Sequence, residues 1–275
     1  LKLLSKLTEG KVYFSIAKNA APELKMMQGV EINVFEGAHP AGNVGVQINK
    51  LNPINKGEVV WTMNLQDVIA LGRFVNKGIV DLTKYVALTG PEVYSPCYFK
   101  TIVGTNIQPM IAGNVYKENK LRYISGNVLS GTKIAENGYL GAFDSQITVI
   151  QEGDEADELI GWLTPRFNKF SASLSYPWQR FAKFCKCKFD FDARVLGGRR
   201  AIIMSGEYDK VFPMDILPEQ LIKAMIAKNL DQMEALGAYE VAPEDFALCE
   251  FVCTSKMELQ SIVREALDYM RKDLE

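Results

Sequence analysis

Phe35-Glu36-Gly37-Ala38-His39-Pro40-Ala41-Gly42-Asn43-Val44-Gly45 packs three glycines, a proline and the only histidine of the chain into eleven residues. It follows a strand-like run, Val30 to Phe35, and leads into a second one, Gly45 to Ile48. A loop of this kind at the carboxyl end of a strand is where an open α/β sheet places a ligand. Whether this loop belongs to such a sheet decides the fold class.

Its neighbours answer in favour. Leu1 to Leu7 has apolar positions at helical spacing, with Gly10 as a helix end. Val12 to Ala17 reads as a buried strand, Ala20 to Gln28 as a short helix closed by Gly29, and Val59 to Thr62 as a third strand. Asn64 is suited to cap a helix over Leu65 to Asn76, with Val68, Ile69, Gly72 and Val75 on one face and Gly78 at its end. Strands alternating with helices predict a parallel sheet, so residues 1–82 read as a Rossmann-like α/β domain.

The nucleotide chemistry of such a sheet is missing from the pattern. No strand is followed by G-x-G-x-x-G, and there is no G-x-x-x-x-G-K-[ST]. Gly37, Pro40, Gly42 and Gly45 are candidate ligand-site residues, or they simply set unusual backbone angles in a turn. His39 has the pKa range to pass a proton or to ligate a metal. As a lone histidine with no Ser/His/Asp or Cys/His signature around it, a hydrogen-bonded loop role is the plainer expectation.

Residues 83–155 carry short strands at Thr83 to Gly90, Tyr98 to Val103, Tyr123 to Gly131 and Gln146 to Ile150, around a short helical stretch at Ile107 to Ala112. That mixture fits a β-grasp, or ubiquitin-like, domain. The acidic run Glu152, Asp154, Glu155, Asp157, Glu158 reads as a solvated boundary. Residues 156–275 are mainly helical. Pro165 to Arg200 holds nine Lys or Arg against two Asp and is dense in aromatics, with Trp178, Phe181, Phe184 and Cys185 at helical spacing. Its surface is a candidate docking face for a partner, with Lys183, Lys186 and Arg199 as its charges; Cys185 and Cys187 read as packing residues. Gly197-Gly198-Arg199-Arg200 precedes an expected strand, Ala201 to Ser205, and is either an anion grip or a hairpin turn. Helices follow at Ile216 to Lys228, Leu230 to Leu236, Pro243 to Phe251 and Met257 to Arg271.

Cys249 and Cys253 keep the last two positions of the ferredoxin spacing C-x₂-C-x₂-C-x₃-C-P. The first two ligands fall at Pro243 and Phe246, and the trailing proline is Thr254. Two cysteines do not hold a cubane cluster, so a lost iron–sulfur site is expected here.

Composition bounds the rest. With 48% hydrophobic and 23% charged residues the chain is an ordinary globular sequence, and its formal charge of −2 supplies no pull toward nucleic acid. No apolar run approaches the roughly 18–20 residues of a membrane-spanning helix. Five cysteines without framework spacing favour a reducing compartment. The first residue, Leu1, enters mid-pattern, and the chain reads as a fragment.

In order and motif the sequence resembles the NADH-binding flavoprotein of respiratory complex I and the RnfC component of the Rnf complex. It resembles more closely the NqrA family, one of the components of bacterial Na⁺-translocating NADH:quinone reductases (Na⁺-NQR). The carrying blocks are Glu36 to Gly45, Val60-Trp61, Gln66 to Gly72, Val86 to Pro91, Ile124 to Gly131, Gly161-Trp162, Gly197 to Ala201, Pro213 to Pro218 and Ala247 to Cys253. The resemblance implies an α/β unit, a β-grasp SLBB-like domain and a helical carboxyl-terminal domain, with the family's amino-terminal region missing. It implies a peripheral protein on the cytoplasmic face of the bacterial inner membrane, attached to integral-membrane partners that together oxidise NADH, reduce ubiquinone and export Na⁺. No cofactor or metal is expected in this chain; FAD, FMN and a [2Fe–2S] centre are expected in the other subunits. Gly37, His39, Pro40, Gly42, Gly45, Gly197, Gly198 and Arg199 are the candidate quinone-site or interface residues. Two alternatives remain: a flavin-binding NADH dehydrogenase of the complex I type, which would be coloured, or a module binding a soluble ligand, which would ignore quinones.

Overall fold

The computed structural model describes residues 1–116, 120–154, 170, 189 and 191–274. Contacts divide the chain into two compact units, one of Leu1–Asp81, Gly206–Glu250 and Glu258–Glu275, the other of Leu82–Ser205 and Phe251–Met257. One boundary of this division falls between Asp81 and Leu82, and the carboxyl-terminal helices group with the α/β segment.

In the first unit, helix α1 (Leu4–Leu7) precedes strands β1 (Tyr13–Ala17) and β2 (Glu31–Phe35), which pair in parallel with Ile16 opposite Val34. Between them the expected helix shrinks to a 3₁₀ turn, Pro22–Met26. Pro22 suits a first turn, and Gly29 at φ 81° ends the segment. After the glycine loop the chain enters helix α2 (Val44–Leu51), in place of the strand expected over Gly45 to Ile48. Four residues of apolar alternation do not separate strand from helix. What decides is Asn43, whose extended backbone (φ −70°, ψ 138°) and carbonyl, accepting from Gln47 N at 3.1 Å, start a helix.

The strand expected over Val59 to Thr62 is also overturned. That segment is irregular and exposed, Trp61 at 91%, and among the described residues no neighbouring strand takes its backbone hydrogen bonds. Helix α3 (Leu65–Lys77) stops, as expected, at Gly78 with φ 65°. None of its residues is buried.

Four helices complete the described part of the unit: α5 (Pro218–Ile226), α6 (Leu230–Ala235), α7 (Ala247–Val252, whose last two residues group with the other unit) and α8 (Leu259–Leu274). α8 buries Leu259, Val263, Ala266 and Met270, a stripe at i, i+4, i+7 and i+11. Leu221, Ile222, Met233 and Phe246 are fully enclosed, and the Phe246 ring lies 4.7 Å from that of Phe212.

The second unit is a five-stranded mixed sheet in the order β4-β3-β7-β5-β6. Its strands are β3 (Thr83–Thr89), β4 (Cys97–Ile102), β5 (Leu121–Ser125), β6 (Thr132–Ile134) and β7 (Gln146–Gln151). β3 and β7 run parallel at the centre, and every other pair is antiparallel. Period-2 alternation on β3 sends Val86 and Leu88 inward and Tyr85 outward. They meet Ile147 and Val149 of β7, and Met110 and Ile111 of the short helix α4 (Gln108–Ile111), in one core. Gly90 has φ 121°, and a Cβ there would lie 2.1 Å from the Val149 carbonyl oxygen, so only glycine lets the chain leave β3 beside β7. Gly126 to Gly131, expected to continue the β pattern, is instead a turn in which the Asn127 side chain accepts from Leu129 N and Ser130 N. Ala201 to Ser205 forms no strand either; it runs irregularly, its Ala201 carbonyl taken by the Ser255 hydroxyl at 2.8 Å.

Glu152 departs from the solvated boundary expected of the acidic run. It is 6% exposed and receives a two-pronged pair from Arg122 (3.0 and 2.6 Å) and a third bond from Lys133 (2.8 Å). Burial is tolerated because the charge is matched on the spot. These donors, Arg122 first, hold its carboxyl down at about 2 from the ordinary 4.5. Most of the basic aromatic stretch, with Trp178, Lys183, Cys185, Lys186 and Cys187, lies outside the described residues.

A lowered carboxyl pKa adds stability that is present above pH 4.5 and lost as the pH falls through about 2. Glu152→Gln should cost about 2 kcal/mol at pH 7 and flatten the acid limb of stability. Urea unfolding of both proteins from pH 2 to 7 measures it; parallel curves would show the pair to be idle.

Candidate functional site

In the first unit, β1 and β2 end side by side, so the loops that follow them open at the same edge. Between them lies an open cleft of about 530 Å³, lined by Ala17, Lys18 and Asn19 after β1 and by Phe35, Glu36 and Gly37 after β2. This is the position at which a parallel sheet presents ligands, outside the carboxyl ends of its strands. The Lys18 ammonium bridges to the Glu36 carboxylate at 2.6 Å, and Lys25 donates to the Lys18 carbonyl at 2.8 Å. With both side chains about two-thirds exposed, this pair contributes at most about 1 kcal/mol and is free to exchange partners.

Of the expected residues, Gly37 forms the cleft wall. Its φ of 152° and a would-be Cβ 3.3 Å from that of Ala41 favour glycine there. The loop then turns through a cis His39–Pro40 peptide, with Ala41 N donating to Ala38 O (3.0 Å) and Asn43 N to Pro40 O (2.8 Å). The His39 ring is exposed, and among the described residues no hydrogen-bond partner holds it, contrary to the role expected of it. Gly42 borders open space. The Gln47 amide lies 3.4 Å from the carbonyls of both Ala41 and Gly42 and ties the loop to α2.

Gly45, the second residue of α2, is the tight point. A Cβ there would lie 2.5 Å from Oδ2 and 2.9 Å from Oδ1 of Asp245. Asp245 is 1% exposed on the 3₁₀ turn Pro243–Phe246; its Oδ2 accepts from Ala242 N at 2.8 Å, while Oδ1 has no partner among the described residues. Burial pushes its carboxyl up to about 6, helped by the neighbouring Glu244 charge and opposed by the Ala242 N–H and the Asn43 amide. Asn43 also donates to the Glu244 carbonyl at 3.4 Å.

Gly197, Gly198 and Arg199 belong to the other unit. A Cβ at Gly197 would meet Lys256 Cε at 3.0 Å, and Arg200 is held to the Ser255 and Thr254 carbonyls. Arg200 thus ties the segment to residues 254 and 255 through its backbone N–H and its guanidinium. Cys249 and Cys253 are both buried. The Cys249 thiol points to the Tyr208 carbonyl at 3.9 Å, and the Cys253 sulfur accepts from Met257 N at 3.5 Å. Pro243 and Phe246, where two further ligands would stand, are packed core residues, and no group of three or more metal-ligating side chains occurs among the described residues.

Lys18, Asn19 and Asp245 join the site without a motif of their own. Lys18 and Asn19 follow a recognisable strand, so the strand-end rule that flags the glycine loop applies equally to them. Asp245 lies two hundred residues from Gly45 and has no local signal.

Residues 1–80 match the family model described as the NqrA second alpha/beta domain, and residues 85–136 that described as the NQRA C-terminal domain, of the SLBB type. The chain is 39% identical over 274 residues to the NqrA protein of the Na(+)-translocating NADH-quinone reductase of Pasteurella multocida, covering 99% of this chain and 60% of that protein. The corresponding proteins from Rhodopirellula baltica and Saccharophagus degradans are 40% and 38% identical over the same length, and 59% and 60% of them are covered. The chain thus spans about three-fifths of the length of the curated relatives it matches. Two domain-level matches in the expected order, together with similarity along nearly all of its residues, align the chain with the NqrA family.

Proposed function

We propose that the chain acts within the NqrA component of a Na⁺-translocating NADH:ubiquinone oxidoreductase, as a peripheral, cofactor-free part that contributes to quinone binding and to assembly with the membrane subunits. The observation that carries this is similarity over 99% of the chain to proteins of that kind. A peripheral place at the cytoplasmic face of the bacterial inner membrane is consistent with the absence, among the described residues, of any helix long and apolar enough to cross a membrane. The three-part division 1–82, 83–155 and 156–275, the first part Rossmann-like and the last with a lost iron–sulfur site, belongs to the same proposal. The donor set supports it, since Pro243 and Phe246 offer no thiolates.

For quinone the cleft at the ends of β1 and β2 is the proposed contact. A quinone headgroup is planar and uncharged, with two carbonyl acceptors, so it needs donors and an open edge but no phosphate cradle. Lys18 and the Asn19 amide supply donors at one wall, Gly37 lets the ring approach the backbone at the other, and His39, on the same loop, is exposed.

Titration of the isotope-labelled chain with ubiquinone-1 should shift the amide signals of residues 17–19 and 35–39. Lys18→Ala should weaken binding about tenfold, the loss of one charge-assisted hydrogen bond. Shifts confined to the sheet unit, or none at all, would overturn this cleft as the contact. Reversing Lys183, Lys186 and Arg199 to Glu in the full complex should lower co-purification with the membrane subunits; undiminished recovery would remove that stretch as the docking face.

A further inference from the structure

The buried Asp245 carboxyl does something that capping its own turn does not explain. Capping uses Oδ2, which accepts from Ala242 N. Oδ1 remains without a partner among the described residues, in a site that is 1% exposed. Both oxygens face the point where α2 begins, so close that position 45 must lack a side chain. Asn43, which starts the helix, reaches the same turn through the Glu244 carbonyl. The end of the glycine loop is therefore seated on a carboxyl group, and an orphan buried oxygen makes that seat sensitive to charge.

We propose that Asp245 is the positioning residue of the Gly37–Gly45 loop, seating it as a neutral acid and releasing it when the carboxyl ionises. The direction follows from linkage. A carboxyl whose pKa is raised in the packed state, here from 3.8 to about 6, binds its proton more tightly when the loop is seated. Seating is then fully supported below pH 3.8, and that support is lost as the pH rises through about 6. Among the described residues the charged group that acts on Asp245 is Glu244, on the same turn, and it works in the same direction. His39 is a further titratable side chain on the loop itself, and it is exposed. Because the cleft wall at Gly37 belongs to this loop, the seat would tune the proposed quinone contact, but the positioning role stands without it.

Hydrogen–deuterium exchange of peptides covering residues 37–47, corrected for the intrinsic rate and followed from pH 4.5 to 8, reads the seat with no quinone present. In the wild-type chain, protection of this segment should fall by about thirtyfold as pH rises across this range. Asp245→Asn, a neutral side chain of the same shape, should keep the loop protected at every pH. His39→Gln should retain the wild-type profile. A wild-type profile that is flat, one that Asp245→Asn leaves unchanged, or one that His39→Gln abolishes would overturn the proposal. Should Asp245→Asn not fold, the ¹³C shift of the Asp245 carboxyl in wild-type protein decides. Titration near pH 6 in step with the Gly45 amide supports the seat, and titration below pH 5 removes it. Loss of quinone binding with the exchange profile intact would count against the cleft alone.

Discussion

At position 45 the backbone of α2 approaches the Asp245 carboxyl closely enough that a Cβ would lie 2.5 Å from Oδ2. This approach joins a strand-and-loop segment from the first third of the chain to helical turns two hundred residues later. Around it, Asn43 reaches the Glu244 carbonyl, Asn49 donates to Glu240 at 2.7 Å and Lys56 pairs with Glu234 at 2.6 Å. A two-stranded parallel sheet is too small to stand in water by itself. It persists because α2 and its loop are held against a helical layer that supplies the enclosed apolar core.

The sheet unit solves a different problem. Its central parallel pair, β3 and β7, is buried on the face lined by Val86, Leu88, Ile147 and Val149. Glu152, just after β7, is anchored by Arg122 and Lys133. Arg122 lies on β5, so the ion pair spans two neighbouring strands at the end of the sheet. The two units therefore treat a buried carboxylate in opposite ways. Glu152 is matched by cations and stays ionised, whereas Asp245 has no cation among the described residues and is pushed toward neutrality. The difference in surroundings, rather than in residue type, separates a structural anchor from a titratable seat.

Much of this is legible locally. The β1 and β2 strands, the Asn64-to-Gly78 helix, the β3 and β7 strands and the stripe on α8 follow from periodicity and end signals carried by neighbouring residues. The failures share a cause. Gly45 to Ile48, Val59 to Thr62 and Ala201 to Ser205 are short apolar runs whose state depends on whether a partner strand is available, which four or five residues do not encode. Glu152 reads as solvated because its run is acidic; its burial depends on Arg122 and Lys133, which are distant in sequence.

The sequence by itself determined the glycine loop, its place at a strand end, the missing phosphate and four-cysteine motifs, and the family resemblance, because each is written in contiguous residues or regular spacings. Only the tertiary structure decided that Lys18 and Asn19 share the cleft with Gly37, that Gly45 is a glycine on account of Asp245, and that this acid is buried without a cation among the described residues. Those facts come from contacts between segments far apart along the chain. A carboxyl's solvation and a Cβ's clearance are set by whatever packs against them, and composition and spacing carry no record of that.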